Sequence, residues 1–239
     1  MLKKSLILLF ALFLFGSQAY SESVDEIIAQ NIKARGGKAK YENMETYQMK
    51  MRMNMMGMNM PMTIYMKDPD KMRMDVTMMG QNVITVLNGD RAWVSQGGQV
   101  TELPQDQVSK VKEQMDQQSN FLENQFIDYK DKGIKIVLEG TEEVDDKNCF
   151  VLKVTDKEGE TSTLYIDTET YLEHKIITTQ QNMGQEMEME IFIKNNKWVN
   201  GILVPHKMEM YSDGEPAGEF IIEDVIINEP IDNSLFTME

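Results

Sequence analysis

Apolar and polar residues alternate along most of the chain from Thr46 onward. A period of two is typical of β-strands that bury one face. Turn-forming residues such as Asn88-Gly89-Asp90 separate the alternating segments. The sequence therefore predicts a long antiparallel meander, with strands at residues 46–55, 58–67, 71–78, 82–88, 91–103, 134–141, 149–155, 161–167, 172–180, 186–194, 202–212 and 218–228.

Two segments have helical periodicity instead. The first begins with a capping box, in which Ser23 is followed three residues later by Glu26, and ends at Gly36-Gly37. The second runs from Pro104 to Lys132 and predicts one or two amphipathic helices. A helix inserted in a meander buries its apolar stripe most economically against one face of the sheet. We therefore predict that residues 105–130 form a lid, whose apolar positions are Val108, Val111, Met115, Leu122 and Phe126.

Methionine is unusually abundant, with 22 residues in 239. In the first strands the methionines alternate with charged or polar residues, and their parity changes beside Gly57, which predicts a turn or a bulge there. The alternation continues in residues 72–78, 187–189 and 208–210. Because alternate residues of a strand share a face, neighbouring strands would build one continuous methionine surface.

An ordinary core is one interpretation of this surface, although cores prefer branched side chains with restricted rotamers. The alternative is a soft lining for a flexible apolar guest, since a buried acyl chain gains about 0.8 kcal/mol per CH₂ group. On this interpretation Trp93 forms an aromatic wall of a cavity. The methionines predicted to line it are Met53, Met60, Met62, Met74, Met187, Met189 and Met208.

Copper is a second interpretation, because thioether sulfur is a soft ligand that selects Cu(I). His206 shares the parity of Met208 and Met210. Alternate residues on one strand are about 6.5–7 Å apart, so a compact site needs methionines from neighbouring strands.

A third interpretation is an envelope assembly factor that binds a partner protein at an exposed sheet edge. No nucleophile, nucleotide or metalloprotease motif occurs, so the sequence does not predict an enzyme. On the carrier interpretation it predicts no resident cofactor or metal centre.

Charge and the N-terminus restrict the location and partners. The formal net charge of −15 argues against nucleic acid as a partner. Lys3 and Lys4 precede the apolar run Leu6–Phe15, which predicts a signal peptide over residues 1–21, cleaved near Ala19 or Ser21. We expect residues 22–239 to form a single exported domain without an internal disulfide, because Cys149 is the only cysteine.

The layout resembles the LolA/LolB-like family of periplasmic outer-membrane lipoprotein-sorting proteins. The segments that carry the resemblance are Ala34-Arg35-Gly36-Gly37, Met44-Glu45-Thr46-Tyr47, Asn88-Gly89-Asp90-Arg91-Ala92-Trp93, residues 164–172, Asn200-Gly201-Ile202-Leu203-Val204-Pro205-His206 and Asn233-Ser234-Leu235-Phe236.

This resemblance implies an α+β fold, a half-open antiparallel β-barrel of about 11 strands with helices over its concave face. It also implies a periplasmic carrier whose cavity takes lipoprotein acyl chains or another lipid. The cargo would pass from an inner-membrane donor to an outer-membrane acceptor. The abundance of methionine departs from the family pattern. The resemblance assigns no binding or gating residue of the family to a position in this sequence.

Overall fold

The computed structural model describes residues 22–55, 57–119, 124–182 and 185–238. The predicted signal peptide, Leu122 and the side chain of Met115 lie outside this described part. The elements in chain order are α1 (Val24–Ala34), α2 (Lys38–Glu42), β1 (Thr46–Met55), β2 (Met58–Lys67), β3 (Lys71–Met78), β4 (Gln81–Asn88), β5 (Arg91–Gln96), β6 (Gln99–Glu102), α3 (Gln105–Ser119), β7 (Lys135–Val144), β8 (Lys147–Thr155), β9 (Thr161–Asp167), β10 (Glu173–Asn182), β11 (Gln185–Lys194), β12 (Lys197–Val199), β13 (Ile202–Val204), β14 (Lys207–Ser212), β15 (Glu215–Ile227) and the 3₁₀ helix η1 (Asn233–Phe236).

Thirteen strands form one sheet in the order β6-β5-β4-β3-β2-β1-β15-β14-β11-β10-β9-β8-β7. Neighbouring strands are antiparallel, and β1 pairs with β15, so strands from the two ends of the chain lie side by side near the middle of the sheet. Within the described residues β6 and β7 stand at the two edges. The predicted α+β fold with a barrel-like antiparallel sheet that does not close is confirmed.

The strand count differs from the prediction of about 11. The run predicted over 91–103 divides at Gly97-Gly98, where both glycines have positive φ, into β5 and β6. The run predicted over 202–212 divides at Pro205-His206 into β13 and β14. The additional strand β12 pairs with β13 in a separate two-stranded sheet. Alternation alone does not detect these interruptions, because the apolar period continues on both sides of them.

The N-terminal capping box is confirmed. The Ser23 hydroxyl oxygen accepts a hydrogen bond from the Glu26 backbone N–H at 3.3 Å, and the Glu26 carboxylate accepts one from the Ser23 N–H at 2.8 Å. These bonds satisfy donors that the first turn of a helix leaves unpaired. The buried side of α1 carries Ile27 and Ile28, which pack in an apolar cluster with residues of β8 and β9.

The second helical segment is shorter than predicted. After α3 ends at Ser119, residues 125–133 form turns rather than a second helix. The Asn124 side chain accepts a hydrogen bond from the Phe126 N–H at 3.0 Å, and Asp128 has a φ of 53°. Both features are incompatible with a continuing helix. Phe126 is nevertheless buried, since it joins the cluster that contains Ile27.

Candidate functional site: the methionine face

The first hairpin places its methionines in directly opposed pairs. Met53 opposes Met60 and Met55 opposes Met58 across β1 and β2. Opposed residues of antiparallel strands project from the same face of the sheet. Gly57, with a φ of 76°, lies in the tight turn between the strands, which confirms the turn predicted from the change of parity.

The same side of the sheet carries the methionines of three further strands. Met66 of β2 opposes Met72 of β3, and the β15 residues opposite β1 in turn oppose Met208 and Met210 of β14. Met189 of β11 opposes Ser212, two residues beyond Met210. We call this surface the methionine face; its methionines are Met49, Met51, Met53, Met55, Met58, Met60, Met62, Met66, Met72, Met74, Met78, Met187, Met189, Met208 and Met210.

The methionine face is covered at one end and accessible at the other. Met49 and Met51 are 0% and 2% exposed, whereas Met58 and Met78, next to the β1–β2 and β3–β4 turns, are 37% and 45% exposed. Along β1 the burial therefore falls from the centre of the strand toward the hairpin tip. A guest that reaches this face would meet its exposed methionines first.

Helix α3 supplies part of the cover. Val108 and Val111, two of the predicted lid residues, are buried in the same apolar cluster as Met49, Met51 and Met72. Phe126 belongs instead to the cluster beneath α1. The residues predicted as one lid therefore contact two different parts of the sheet.

The structure brings most of the predicted lining residues to one face. Met208 is buried in the main apolar cluster, and Met62 and Met74 are half-buried against it. Met53 and Met60 lie beyond that cluster toward the hairpin tip, while the half-buried Met187 and Met189 lie on β11. The prediction omitted Met49, Met51 and Met72, which have the same parity and are the most deeply covered methionines of β1 and β3.

Trp93 is an exception, because it projects from the opposite face. It opposes Val86 and packs with Phe236 of η1, while Ala92, opposite Leu87, joins the methionine side. A two-residue turn fixes this parity. Trp93 is therefore a core residue beneath the C-terminal segment, and its predicted position in the wall of a methionine-lined cavity is wrong.

Charged side chains occupy that opposite face. On it, the Lys194 ammonium donates to the Glu209 carboxylate at 2.6 Å, and Lys207 lies 2.8 Å from Glu209 and 3.2 Å from Glu219. The hydrogen bond from Lys194, followed by that from Lys207, lowers the pKa of Glu209 below its ordinary value. Beyond the apolar cluster around Trp93, this opposite face thus carries charged pairs, whereas the methionine face is apolar and rich in sulfur.

The remaining candidate groups do not form a second site. His174 is buried and lies edge-on to Phe192, with ring centroids 6.2 Å apart. Among the described residues, no group of three or more His, Cys, Asp and Glu side chains could hold a metal ion. A cleft of about 200 Å³ beside α2 is lined by no methionine. Its Asn228 side chain is engaged, since it donates to the Asn43 carbonyl at 2.8 Å.

Comparison with solved structures identifies the class of fold. A DUF1329 family protein from Desulfovibrio piger is 14% identical, with a TM-score of 0.56, and the match covers 90% of this chain and 97% of that one. A LolA superfamily protein from Nitrosomonas europaea is 13% identical, with a TM-score of 0.54 and coverages of 91% and 98%. A domain from Vibrio parahaemolyticus named for outer membrane lipoprotein sorting is 14% identical, with a TM-score of 0.51 and coverages of 87% and 94%.

The resemblance to LolA-like proteins is therefore confirmed at the level of the fold, across most of the chain. No protein-family model matches the sequence, and no curated protein matches it either. In the part of the chain that the structure describes, no helix has the length and apolar character needed to cross a bilayer.

Proposed function

We propose that this protein is an exported carrier that binds the acyl chains of lipoproteins, or of another acylated lipid, on its methionine face. The observation that carries the proposal is the convergence of methionines from five strands on the face that α3 partly covers. Release of the guest would be passive, and the carrier would have no enzymatic turnover.

The chemistry of methionine supports a carrier rather than a rigid core. Its unbranched side chain has three rotatable bonds and fills irregular space at little cost. A carrier must match the bilayer, which offers an acyl chain about 0.8 kcal/mol per CH₂ group, without retaining the chain too tightly. A lining that repacks around different chains meets this requirement better than branched side chains do.

The proposed location rests on the predicted signal peptide and on the shared fold. Cleavage near Ala19 or Ser21 would release residues 22–239 as one domain into the periplasm. The fold shared with a LolA superfamily protein and with a lipoprotein-sorting domain supports lipid-bearing cargo. An inner-membrane donor and an outer-membrane acceptor would then be the partners, and residues 105–130 would act as the lid.

A fluorescent fatty acid titrated into purified residues 22–239 tests the proposal. We expect saturable binding with a fixed stoichiometry. Met62→Lys places a cation on the methionine face and should weaken binding by about tenfold or more, because an unpaired charge is costly in an apolar environment. Met62→Leu keeps the volume and should bind almost as the wild type does.

Thr63→Lys is the matched control, since Thr63 adjoins Met62 on β2 and projects from the other face. It should leave the affinity unchanged. Absence of saturable binding to the wild type, or equal weakening by Met62→Lys and Thr63→Lys, would contradict the proposal. Native mass spectrometry of protein purified from its own envelope fraction would identify the guest by its mass.

A further inference from the structure

The tip of the β1–β2 hairpin groups four thioethers. Met53 opposes Met60, and Met55 opposes Met58 two residues further on. Opposed Cβ atoms lie about 5 Å apart and alternate ones about 6.5–7 Å apart, so the centre of the four lies about 4 Å from each Cβ. A methionine sulfur is two bonds beyond Cβ on a flexible stem. The sulfurs can therefore converge on one small ion.

This arrangement removes the spacing objection that applies to a single strand. The Met-x-Met repeat separates neighbouring sulfurs too widely, but the Gly57 turn folds the repeat back on itself. Each strand supplies two methionines, and the opposed pairs provide the shorter distance. Thioether coordination by three or four residues becomes geometrically accessible without any change of register.

Within the described residues of this hairpin, no carboxylate or amide side chain lies on the face that carries the four thioethers. No charged residue occurs from Met53 to Met66. Asn54 and Asn59 oppose each other on the opposite face, where the Asn54 side chain donates to the Glu219 carboxylate at 2.9 Å. Hard cations require oxygen ligands, which are therefore directed away from this cluster. Thioethers without carboxylates select a soft univalent ion.

Packing does not account for these four residues. Met58 is 37% exposed, Met53 and Met55 are half-buried and Met60 is 6% exposed, but none of the four is a member of the apolar clusters that the described residues form. Met49 and Met51, on the same strand and face, are both in the main cluster. Met53, Met55 and Met58 are thus at least partly exposed at the tip, whereas Met60 is covered.

A fifth thioether lies beside the cluster. Gly218 is opposed to both Met55 and Met210. A Cβ on Gly218 would stand 3.2 Å from the Met210 methyl carbon and 3.3 Å from the Met55 Cα. The missing side chain therefore leaves a space that Met210 enters from β14. This brings a third strand within reach of the hairpin.

From this geometry we infer that Met53, Met55, Met58 and Met60 form a Cu(I) site, with Met210 as the neighbouring thioether. The ligands are neutral, so the bound ion keeps its positive charge, and the net charge of −15 of the chain attracts it at long range. This function is independent of acyl-chain binding, which depends on the volume and polarity of the face rather than on sulfur.

Titration of purified residues 22–239 with Cu(I), under anaerobic reducing conditions and against a chromophoric Cu(I) chelator, tests the inference. We expect saturation at a fixed ratio and an X-ray absorption spectrum whose nearest shell contains sulfur only. Replacing Met53, Met55, Met58 and Met60 together by leucine should weaken binding by about tenfold or more, because the volume is kept while the soft ligands are lost.

The matched control replaces Met62, Met66, Met72 and Met74 by leucine, which removes as many thioethers from the same face and leaves the tip intact. Its affinity for Cu(I) should equal that of the wild type. Circular dichroism verifies folding, and Met55→Leu with Met58→Leu serves if the fourfold variant does not fold. Equal loss in tip and control variants, a nearest shell of nitrogen or oxygen, or no saturable binding by the wild type would overturn the assignment.

Discussion

Gly36 lies so close to Gly201 that a Cβ on Gly36 would stand 2.2 Å from the Gly201 carbonyl oxygen. The contact joins the end of α1 to the turn between β12 and β13. Beside it, the Leu203 N–H donates to the Arg35 carbonyl at 3.0 Å. Two glycine-containing segments far apart in sequence therefore meet, and their contact fixes the end of α1 on the short hairpin.

Gly36→Ala should destabilise the protein by about 3 kcal/mol, because the new Cβ collides with backbone and the φ of 119° is unfavourable for alanine. Gly37→Ala is the control. Its φ is also positive, at 86°, but no atom lies within 4 Å of the new Cβ, so only about 1 kcal/mol should be lost. Urea unfolding measures both. Equal losses of unfolding free energy in the two variants would mean that the backbone at Gly201 moves aside without an energetic cost.

Arg35 also forms a largely buried ion pair with Glu173 of β10. The atoms Nη1 and Oε1 are 3.2 Å apart, and each side chain is 11% exposed. Burial lowers the pKa of the Arg35 guanidinium, but the Glu173 carboxylate and the Tyr41 side chain together outweigh it, and the net change is upward. Arg35→Ala should cost about 3 kcal/mol of unfolding free energy, since it leaves a carboxylate buried without its partner.

The exposed pair between Lys38 and Asp128, at 2.7 Å, provides the comparison for Arg35. Lys38→Ala should change the free energy of unfolding little, because solvent screens this exposed pair. Denaturant unfolding of the two variants at the same ionic strength makes the comparison direct. Similar losses of unfolding free energy for Arg35→Ala and Lys38→Ala would show that burial of the Arg35–Glu173 pair does not increase its contribution to stability.

The cover over the methionine face should loosen when α3 loses its apolar contact. Val108 is 1% exposed in the cluster that contains Met49 and Met72. Val108→Asp buries an unpaired carboxylate, so the helix should separate from the sheet and increase the fluorescence of a hydrophobic dye about twofold or more. Ser109→Asp, at the adjacent exposed position, should leave the dye signal unchanged. Equal dye fluorescence in the Val108→Asp and Ser109→Asp variants would mean that α3 already separates freely from the sheet.

His174 should make stability depend on pH in the range just below its ordinary pKa of 6.5. Burial, followed by the positive charge of Lys147, lowers its pKa in the folded state below the ordinary 6.5. The unfolded chain then binds the proton more readily, so the contribution of His174 is present above pH 6.5 and is lost as the pH falls toward the folded-state pKa. Unfolding free energies from pH 7 to 5 should fall less steeply in His174→Gln. If the plots of unfolding free energy against pH are parallel for the wild type and His174→Gln, then His174 does not cause this pH dependence.

The sequence was most informative where the physics is local. A strand has a period of two, so the shared face of Met49, Met51, Met53 and Met55 needs no tertiary information. The capping box at Ser23 and the turn at Gly57 are likewise local. Trp93 could have been placed correctly, because the two-residue turn Gly89-Asp90 makes Leu87 and Ala92 opposed and sets Trp93 on the other face.

Sequence alone determined most of the strands, the first helix and the gathering of methionines on one side of each strand, since these depend on side-chain periodicity and turn residues. Only the tertiary structure decided that β1 adjoins β15, that Met210 reaches over Gly218, and that Val108 of α3 joins the apolar cluster containing Met49 while Met58 is exposed. These features depend on pairing and packing between residues distant in the chain. Closing such long loops has an entropic cost, which the contacts of the whole fold offset. A local sequence pattern therefore does not reveal which distant residues pair.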